Sequence, residues 1–381
     1  MTNAINHKVH LIVDATCLGN RLTGLERYTL EVVKQMIRLN MGCNFKLSVL
    51  LSQGSECLFG ECEVPNITYY ESPVRARIAT EQIWIPWMVY VLSPTHGFFP
   101  AFPPSPIIYR LRNFKVLKTV YDGAMWRYPA TLSWKNKLYM RPLESFGIGH
   151  YDVIHTISRF SADEISNFFP SASRKIVNSS IGIDLDSFKI KPVEEELAAV
   201  IKKYELPSKF ILFVGTIEPR KNLLFLLHAI DELRNSMPKC HLVMAGREGW
   251  GIAEVRQLIQ SLHLEKHVSM LGSVPDAQLS SLYRLASLFV FPSIYEGFGL
   301  PIIEAMASGT PVIASNTSSI PEAAGDAAIL LSPHDKSAWV EAITRVLGDA
   351  NLSAGMSTAG LEQANRFSWR SVADKILASV A

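Results

Sequence analysis

The chain has 381 residues, 48% of them hydrophobic and 19% charged, a length that suits two packed cores and a composition that excludes a disordered or fibrous chain. Its 37 Lys and Arg against 35 Asp and Glu leave a net charge of +2, which excludes a general nucleic-acid role. The cysteines Cys17, Cys43, Cys57, Cys62 and Cys240 have no zinc-ligand spacing, so a reduced cytoplasmic setting is expected and no structural metal.

Charge is spread unevenly. Residues 1–190 hold 20 Lys and Arg against 15 Asp and Glu, and the remainder 17 against 20. The N-terminus lacks the basic-then-apolar pattern of a signal peptide. The longest apolar run, Ile83 to Leu92, contains Pro86 and is too short to span a bilayer, which leaves peripheral contact with a membrane surface open.

In chain order, Val9 to Val13 reads as a first strand closed by Asp14. Thr23-Gly24-Leu25-Glu26-Arg27 then opens a helix to about Leu39, with Leu30, Val33 and Ile37 at helical spacing. Lys46 to Leu51 reads as a strand, Cys57 to Pro73 as turn-rich, and Ile78 to Leu92 as a helix broken or kinked at Pro86. Pro94 to Pro106, with His96-Gly97, reads as a structured loop. Leu117 to Tyr121 is a strand ending in Tyr121-Asp122-Gly123. Arg110 to Arg141 holds eight basic residues and one acid among Phe114, Trp126, Tyr128, Trp134 and Tyr139. That mixture suits either a solvated basic face or a headgroup interface with anionic lipid. Val153 to Thr156 and Ile176 to Asn178 are strands, and Ser158 is placed to cap a helix to about Asn167. Asp184-Leu185-Asp186 mimics a metal-binding pair but lies in a linker.

A charged helix from Lys191 to Leu206 leads to strand Phe210 to Val214 and to Gly215-Thr216-Ile217-Glu218-Pro219-Arg220-Lys221-Asn222. Two adjacent cations beyond a strand end suit a diphosphate, Arg through its bidentate fork and Lys as a point charge. Strands His241 to Ala245 and Val268 to Leu271 follow, the second ending in Gly272-Ser273-Val274-Pro275. A helix is expected from Pro275 to Ala286. The richest stretch is Phe291 to Thr310, where an apolar strand runs into Gly297-Phe298-Gly299-Leu300-Pro301 and a helix to about Ser308. Strand, glycine loop and helix N-terminus form an anion site. Glu296 stands at the strand end facing whatever the loop holds. Glu304, one turn into the helix, is a good acceptor for paired sugar hydroxyls. Strand Pro311 to Ala314, a segment Ser318 to Gly325 and helices over Lys336–Leu347, Asn351–Ala364 and Ser371–Val380 finish the chain.

The Phe291–Thr310 segment resembles the signature of the family 4 retaining glycosyltransferases. That resemblance implies the α/β GT-B fold, two Rossmann-like domains facing a cleft. It places an acceptor-binding domain over 1–184, a nucleotide-sugar-binding domain over 185–365, and a helix over 366–381 returning to the first. It brings Gly24 near the donor diphosphate and leaves Asp122 at the cleft mouth. Tyr121 stands where many relatives have His, so no imidazole role carries over. Thr156, Ser158, Ser161 and the crossing Ile181-Gly182-Ile183-Asp184 also match. Thr216 replaces the Arg that follows the glycine in many relatives, with Arg220 as its substitute, and Lys221 matches the family lysine. The loop of Gly272 and Val274 would meet the base. Gly297, Phe298, Gly299 and Leu300 would meet the diphosphate, Glu304 the ribose and Glu296 the donor sugar.

The run from Gly215 to Leu223, with Gly246-Arg247-Glu248-Gly249-Trp250-Gly251 downstream, is similar to bacterial mannosyltransferases that build O-antigen in lipopolysaccharide biosynthesis. The partners implied are GDP-mannose and an undecaprenyl-diphosphate-linked saccharide at the inner face of the cell membrane, with no cofactor, no metal and no nucleic acid. Alternatives are a UDP- or dTDP-hexose transferase, a GT-B sugar-nucleotide epimerase and a non-catalytic nucleotide-sugar binder. A dehydrogenase is disfavoured because no Gly-x-Gly-x-x-Gly follows either first strand.

Overall fold

The computed structural model describes residues 9–19, 24–40, 45–59, 65–111, 113–129, 134, 136–189 and 194–380. Of the positions read above, Thr23, Cys43, Cys62, parts of Arg110–Arg141 (112, 130–133 and 135) and the helix start expected at Lys191 lie outside the described residues. The chain divides into two units. One holds Met1–Gly182 and Trp369–Ala381, the other Ile183–Ser368.

The first unit is built on seven parallel strands: β1 (His10–Ala15), β2 (Lys46–Leu51), β3 (Ile67–Glu71), β4 (His96–Phe99), β5 (Lys115–Thr119), β6 (Val153–Thr156) and β7 (Ile176–Asn178), in the order β3-β2-β1-β4-β5-β6-β7. Its central strands are buried on both faces, with apolar side chains such as Leu11, Val13, Leu47, Phe98 and Leu117 interrupted by the buried polar groups Asp14, Ser48, His96, Lys118 and His155; β1 pairs β2 through Leu11 with Leu47 and β4 through Leu11 with His96. The order reverses between β1 and β4, so the loops leaving these strands diverge and open a crevice at their C-terminal ends. The helix Trp369–Ala378 packs within this unit, where its Trp369 ring meets Tyr28 edge-on at 5.7 Å. Gly182 passes so close to it that a Cβ there would lie 2.4 Å from the Trp369 nitrogen.

The second unit has six parallel strands: β8 (Ile211–Val214), β9 (Leu242–Ala245), β10 (Val268–Gly272), β11 (Leu288–Phe291), β12 (Val312–Ser315) and β13 (Ile329–Leu331), ordered β10-β9-β8-β11-β12-β13. Phe213, Phe289 and Phe291 stack through its core at 5.8–6.3 Å. Here the order reverses between β8 and β11.

Three expectations are corrected. The turn-rich Cys57–Pro73 contains β3, and the Pro94–Pro106 loop contains β4. His96 therefore sits on a buried strand, its Nδ1 bonded to Thr95 Oγ1 at 2.9 Å, and not in a loop. The Ile78–Leu92 helix is interrupted before Pro86 and not at it. It is a helical turn Arg77–Ala79, a π turn Thr80–Trp84 and a helix Ile85–Leu92. The wider turn, with Ile85 N–H reaching Thr80 O, makes room for a proline ring that would otherwise strike the carbonyl four residues back.

Candidate active site

The reversal between β8 and β11 brings two loops together in the second unit. After β8 the chain makes a tight turn, Pro219–Lys221, and Asn222 takes a left-handed conformation (φ 59°) before the helix Leu223–Ser236. After β11 it runs through Tyr295 and Glu296 to Gly299. Ile294 N–H donates to Arg220 O at 2.8 Å, which ties the loops side by side.

Their side chains form one ionic cluster. Lys221 Nζ donates to Glu296 Oε1 at 2.5 Å and Arg220 Nη1 to Glu296 Oε2 at 2.8 Å. Arg220 also reaches Tyr295 O at 3.1 Å and Glu218 Oε1 at 2.6 Å. Lys221 lies 4.9 Å from the Phe291 ring centroid, a cation–π distance. Lys221 and Glu296 are buried, while the Arg220 side chain stays 41% exposed. Burial alone would raise the Glu296 carboxyl, but Lys221 and then Arg220 outweigh it and hold the group below the ordinary carboxylate range. Glu296 is thus ionised at neutral pH.

The backbone of Glu296 is held as firmly as its carboxylate. Ser318 Oγ accepts from Glu296 N–H at 3.0 Å, and Ser319 Oγ donates to Glu296 O at 2.9 Å. Gly299 adopts φ 101°, which only glycine takes without strain, and starts the helix Leu300–Ala307 with no side-chain cap. Phe298 turns inward onto Phe367, ring centroids 5.4 Å apart, so only its backbone stays with the loop. Glu304 is engaged apart from the cluster: its Oε2 accepts from Tyr283 at 2.9 Å. Gly272 ends β10 at φ 67°, and its carbonyl accepts from Gly246 N–H. Val274, two residues on, is half-buried.

The remaining sequence-derived residues lie in the first unit. Gly24 is the first residue of helix Gly24–Asn40. Asp122 Oδ1 accepts from Ala124 N–H at 2.9 Å and so caps the turn Ala124–Arg127. Asp122 also lines a cavity of about 300 Å³ with Leu25, Lys118, Tyr121, Arg141 and Glu144. Tyr121 packs edge-on against Tyr28 at 5.3 Å. Beside this lies a cavity of about 470 Å³ lined by Thr16, Glu26, Gln53, Arg75, Arg77 and Glu81. Asp184 spends its carboxylate on Ser187. Among the described residues no three His, Cys, Asp or Glu are grouped to hold a metal.

Residues 195–363 match the family described as glycosyl transferases group 1. Over 360 residues the chain is 31% identical to the O-antigen chain mannosyltransferase B of Escherichia coli, which covers 91% of this chain and 93% of that protein. The chain belongs to the group 1 glycosyltransferases. A glycosyltransferase from Rickettsia africae superposes on it with a TM-score of 0.72 at 20% identity, covering 98% of each chain. HepE of Anabaena, solved with UDP and glucose, does so with 0.73 at 16% identity over 97% of this chain and 99% of that one. The two parallel-sheet units are those of the GT-B fold.

In this glycosyltransferase the structure joins Glu296, which the sequence assigns to the donor sugar, to Arg220 and Lys221, which it assigns together to the diphosphate. It adds residues that reading missed. Glu218 is the second partner of Arg220, and its place three residues before Lys221 in one loop was a usable signal. Ser318 and Ser319 lie in a segment that sequence alone offered no reason to connect with Glu296, 22 residues earlier. Tyr283, on the helix Asp276–Leu285, carries no sequence signal for Glu304 at all.

Proposed function

We propose that this glycosyltransferase moves a mannosyl group from GDP-mannose, with retention, onto a lipid-linked saccharide in O-antigen assembly. The observation that carries the reading is the 31% identity over 360 residues to an O-antigen mannosyltransferase, supported by a cationic cluster at the strand ends where parallel sheets bind ligands. In this reading Arg220 and Lys221 turn from Glu296 toward the donor diphosphate. Together with the backbone N–H groups at the helix following Gly299, they stabilise the charge that develops as the bond between the sugar C1 and the diphosphate oxygen breaks. Glu304 takes the ribose hydroxyls and Glu296 the mannose hydroxyls. The backbone of the Gly272–Val274 loop reads the base, Gly24 approaches the donor diphosphate, and Asp122 stands by the reacting groups. The acceptor hydroxyl oxygen bonds C1 on the face the diphosphate leaves, and its proton passes to the departing phosphate oxygen, giving GDP and an α-mannoside.

The test offers radiolabelled GDP-mannose, UDP-glucose, UDP-galactose and dTDP-rhamnose separately to the enzyme with membranes carrying the lipid-linked primer. Label is expected in lipid from GDP-mannose alone. Label in lipid from another donor refutes the donor, and label only in soluble sugar refutes the acceptor.

A further inference from the structure

The segment Arg77–Leu92 is apolar on both sides, and the fold buries only one. Glu81, Trp84, Ile85, Met88 and Val89 turn into the first unit. Ile83, Trp87, Tyr90 and Val91, at spacings of four, three and one, share the opposite face, each 53–73% exposed. The π turn places Ile78, five residues before Ile83, on the same line, because i and i+5 are turn neighbours there. A helix hydrophobic all round is ordinarily covered, and a contiguous exposed apolar patch marks an interaction surface.

A second π turn, Asn136–Met140, lies alongside the first, and it too precedes a proline, Pro142. Tyr139 joins them: its hydroxyl accepts from Gln82 Nε2 at 2.8 Å and donates to Glu81 Oε2 at 3.0 Å. Arg77 reaches Met140 at 3.6 Å. The paired segments extend the patch with Trp134 and Leu138, both about 70% exposed.

The surrounding charge selects the partner. Residues 72–144 contain ten Lys and Arg and three acids, Glu81, Asp122 and Glu144; of these, Lys118 and Glu144 are buried against each other and do not face solvent. Glu81 is buried between Arg77 and Tyr139, and Asp122 is committed to its own turn. Exposed aromatic and aliphatic side chains in a predominantly basic stretch match the boundary between acyl chains and anionic headgroups, where Trp and Tyr lie at headgroup depth and Lys and Arg extend their charged ends. Among the described residues no helix is long and apolar enough to cross a membrane.

We infer that segment 77–92, together with Trp134 and segment 136–141, forms a docking face that seats the first unit on an anionic lipid bilayer. The sequence leaves Arg110–Arg141 open between a solvated basic face and a headgroup interface, and does not show which side of Ile83–Leu92 is uncovered. The aliphatic contact comes mainly from helix 77–92. The same continuous segment turns Arg77, Thr80 and Glu81 into the wall of the 470 Å³ cavity, so the exposed apolar face and part of that cavity wall belong to one stretch of chain. The link to a lipid-linked acceptor rests on the function proposed above; the docking face itself does not.

The test is flotation of the whole protein with vesicles of phosphatidylcholine, with or without phosphatidylglycerol, alongside sedimentation velocity without lipid. The wild type is expected to float with the anionic vesicles and to be released by high salt. The triple variant Ile83→Ser, Trp87→Ser, Tyr90→Ser is expected to partition at least tenfold less, with an unchanged melting temperature because the side chains removed are exposed. Should the triple variant unfold, Ile83→Ser and Tyr90→Ser singly are expected each to lower partitioning severalfold. Failure of the wild type to float, or equal binding by folded variants, overturns the proposal. So does a lipid-free dimer that the variant dissociates, since the face would then join two copies. Flotation needs no donor or acceptor, so it stands even if the mannosyl reading fails.

Discussion

Replacing Glu296 by Ala tests the ionic cluster in stability as well as activity. The substitution leaves Lys221, 6% exposed, as a buried ammonium without its counter-charge, which costs about 3–5 kcal/mol. The Arg220 pair adds little, since that guanidinium is 41% exposed and keeps Glu218, and pairs so exposed contribute roughly 0–1 kcal/mol. For a unit of this size, at about 2–4 °C per kcal/mol, the melting transition of the second unit should fall by roughly 6–20 °C. The double variant Lys221→Met, Glu296→Gln removes both charges and should regain most of that loss while remaining inactive. The pH dependence separates this from simple loss of packing. Because the Glu296 carboxyl sits below its ordinary value of 4.5, its stabilisation is complete above that value and is lost as pH falls through the folded value. Wild type should weaken there and Glu296→Gln should not. Thermal and urea denaturation across pH provide the assay. A Glu296→Ala protein melting within about 2 °C of wild type would refute the claim that the cluster is a coupled buried unit.

Further expectations concern single residues. Glu304→Ala should weaken binding of bare GDP by about 1.5–3 kcal/mol, read by calorimetry, whereas Glu296→Ala should reduce turnover more than GDP affinity; equal losses contradict the division. Asp14 is lifted to about 6 by burial, so its folded form holds a proton that the unfolded chain releases from about pH 4. The first unit should therefore lose about 3 kcal/mol between those pH values, and Asp14→Asn should flatten that fall; an unchanged pH profile contradicts it. Gly246→Ala should leave the second unit unfolded or insoluble, because the added Cβ would sit 2.0 Å from Gly215 O, and a soluble variant with wild-type melting would exclude that contact.

The strands read correctly from sequence are those whose residues report one environment. Ile211–Val214, Leu242–Ala245 and Leu288–Phe291 are buried on both faces and short, so an apolar run bounded by glycine or proline identifies them. The strands missed lack that signature. β3 is a half-exposed edge, β13 is a half-buried edge, and β4 is His-Gly-Phe-Phe between prolines, where partners on both sides override a weak local preference. The helix Ile252–Ser261 follows a glycine-rich loop, Gly246–Gly251, that gives no clear start signal in the sequence. At the site, Lys221, Glu296 and the Gly299 helix start were legible because spacing within one loop is local. The pairing of Glu296 with the loop 75 residues earlier, and its suspension between Ser318 and Ser319, arise only when β8, β11 and β12 lie side by side. The exposed apolar patch is half legible: the sequence shows its aromatics and nearby cations but not which side of 77–92 the fold leaves uncovered.

The central claim is that the Arg220–Lys221–Glu296 cluster and the helix after Gly299 receive the donor, and a crystal structure of the whole enzyme with GDP-mannose tests it most directly. The account predicts Lys221 Nζ and Arg220 on the diphosphate, Glu304 on the ribose and Glu296 on mannose hydroxyls. GDP-mannose seated elsewhere, with Lys221 and Arg220 still closed on Glu296, would contradict it.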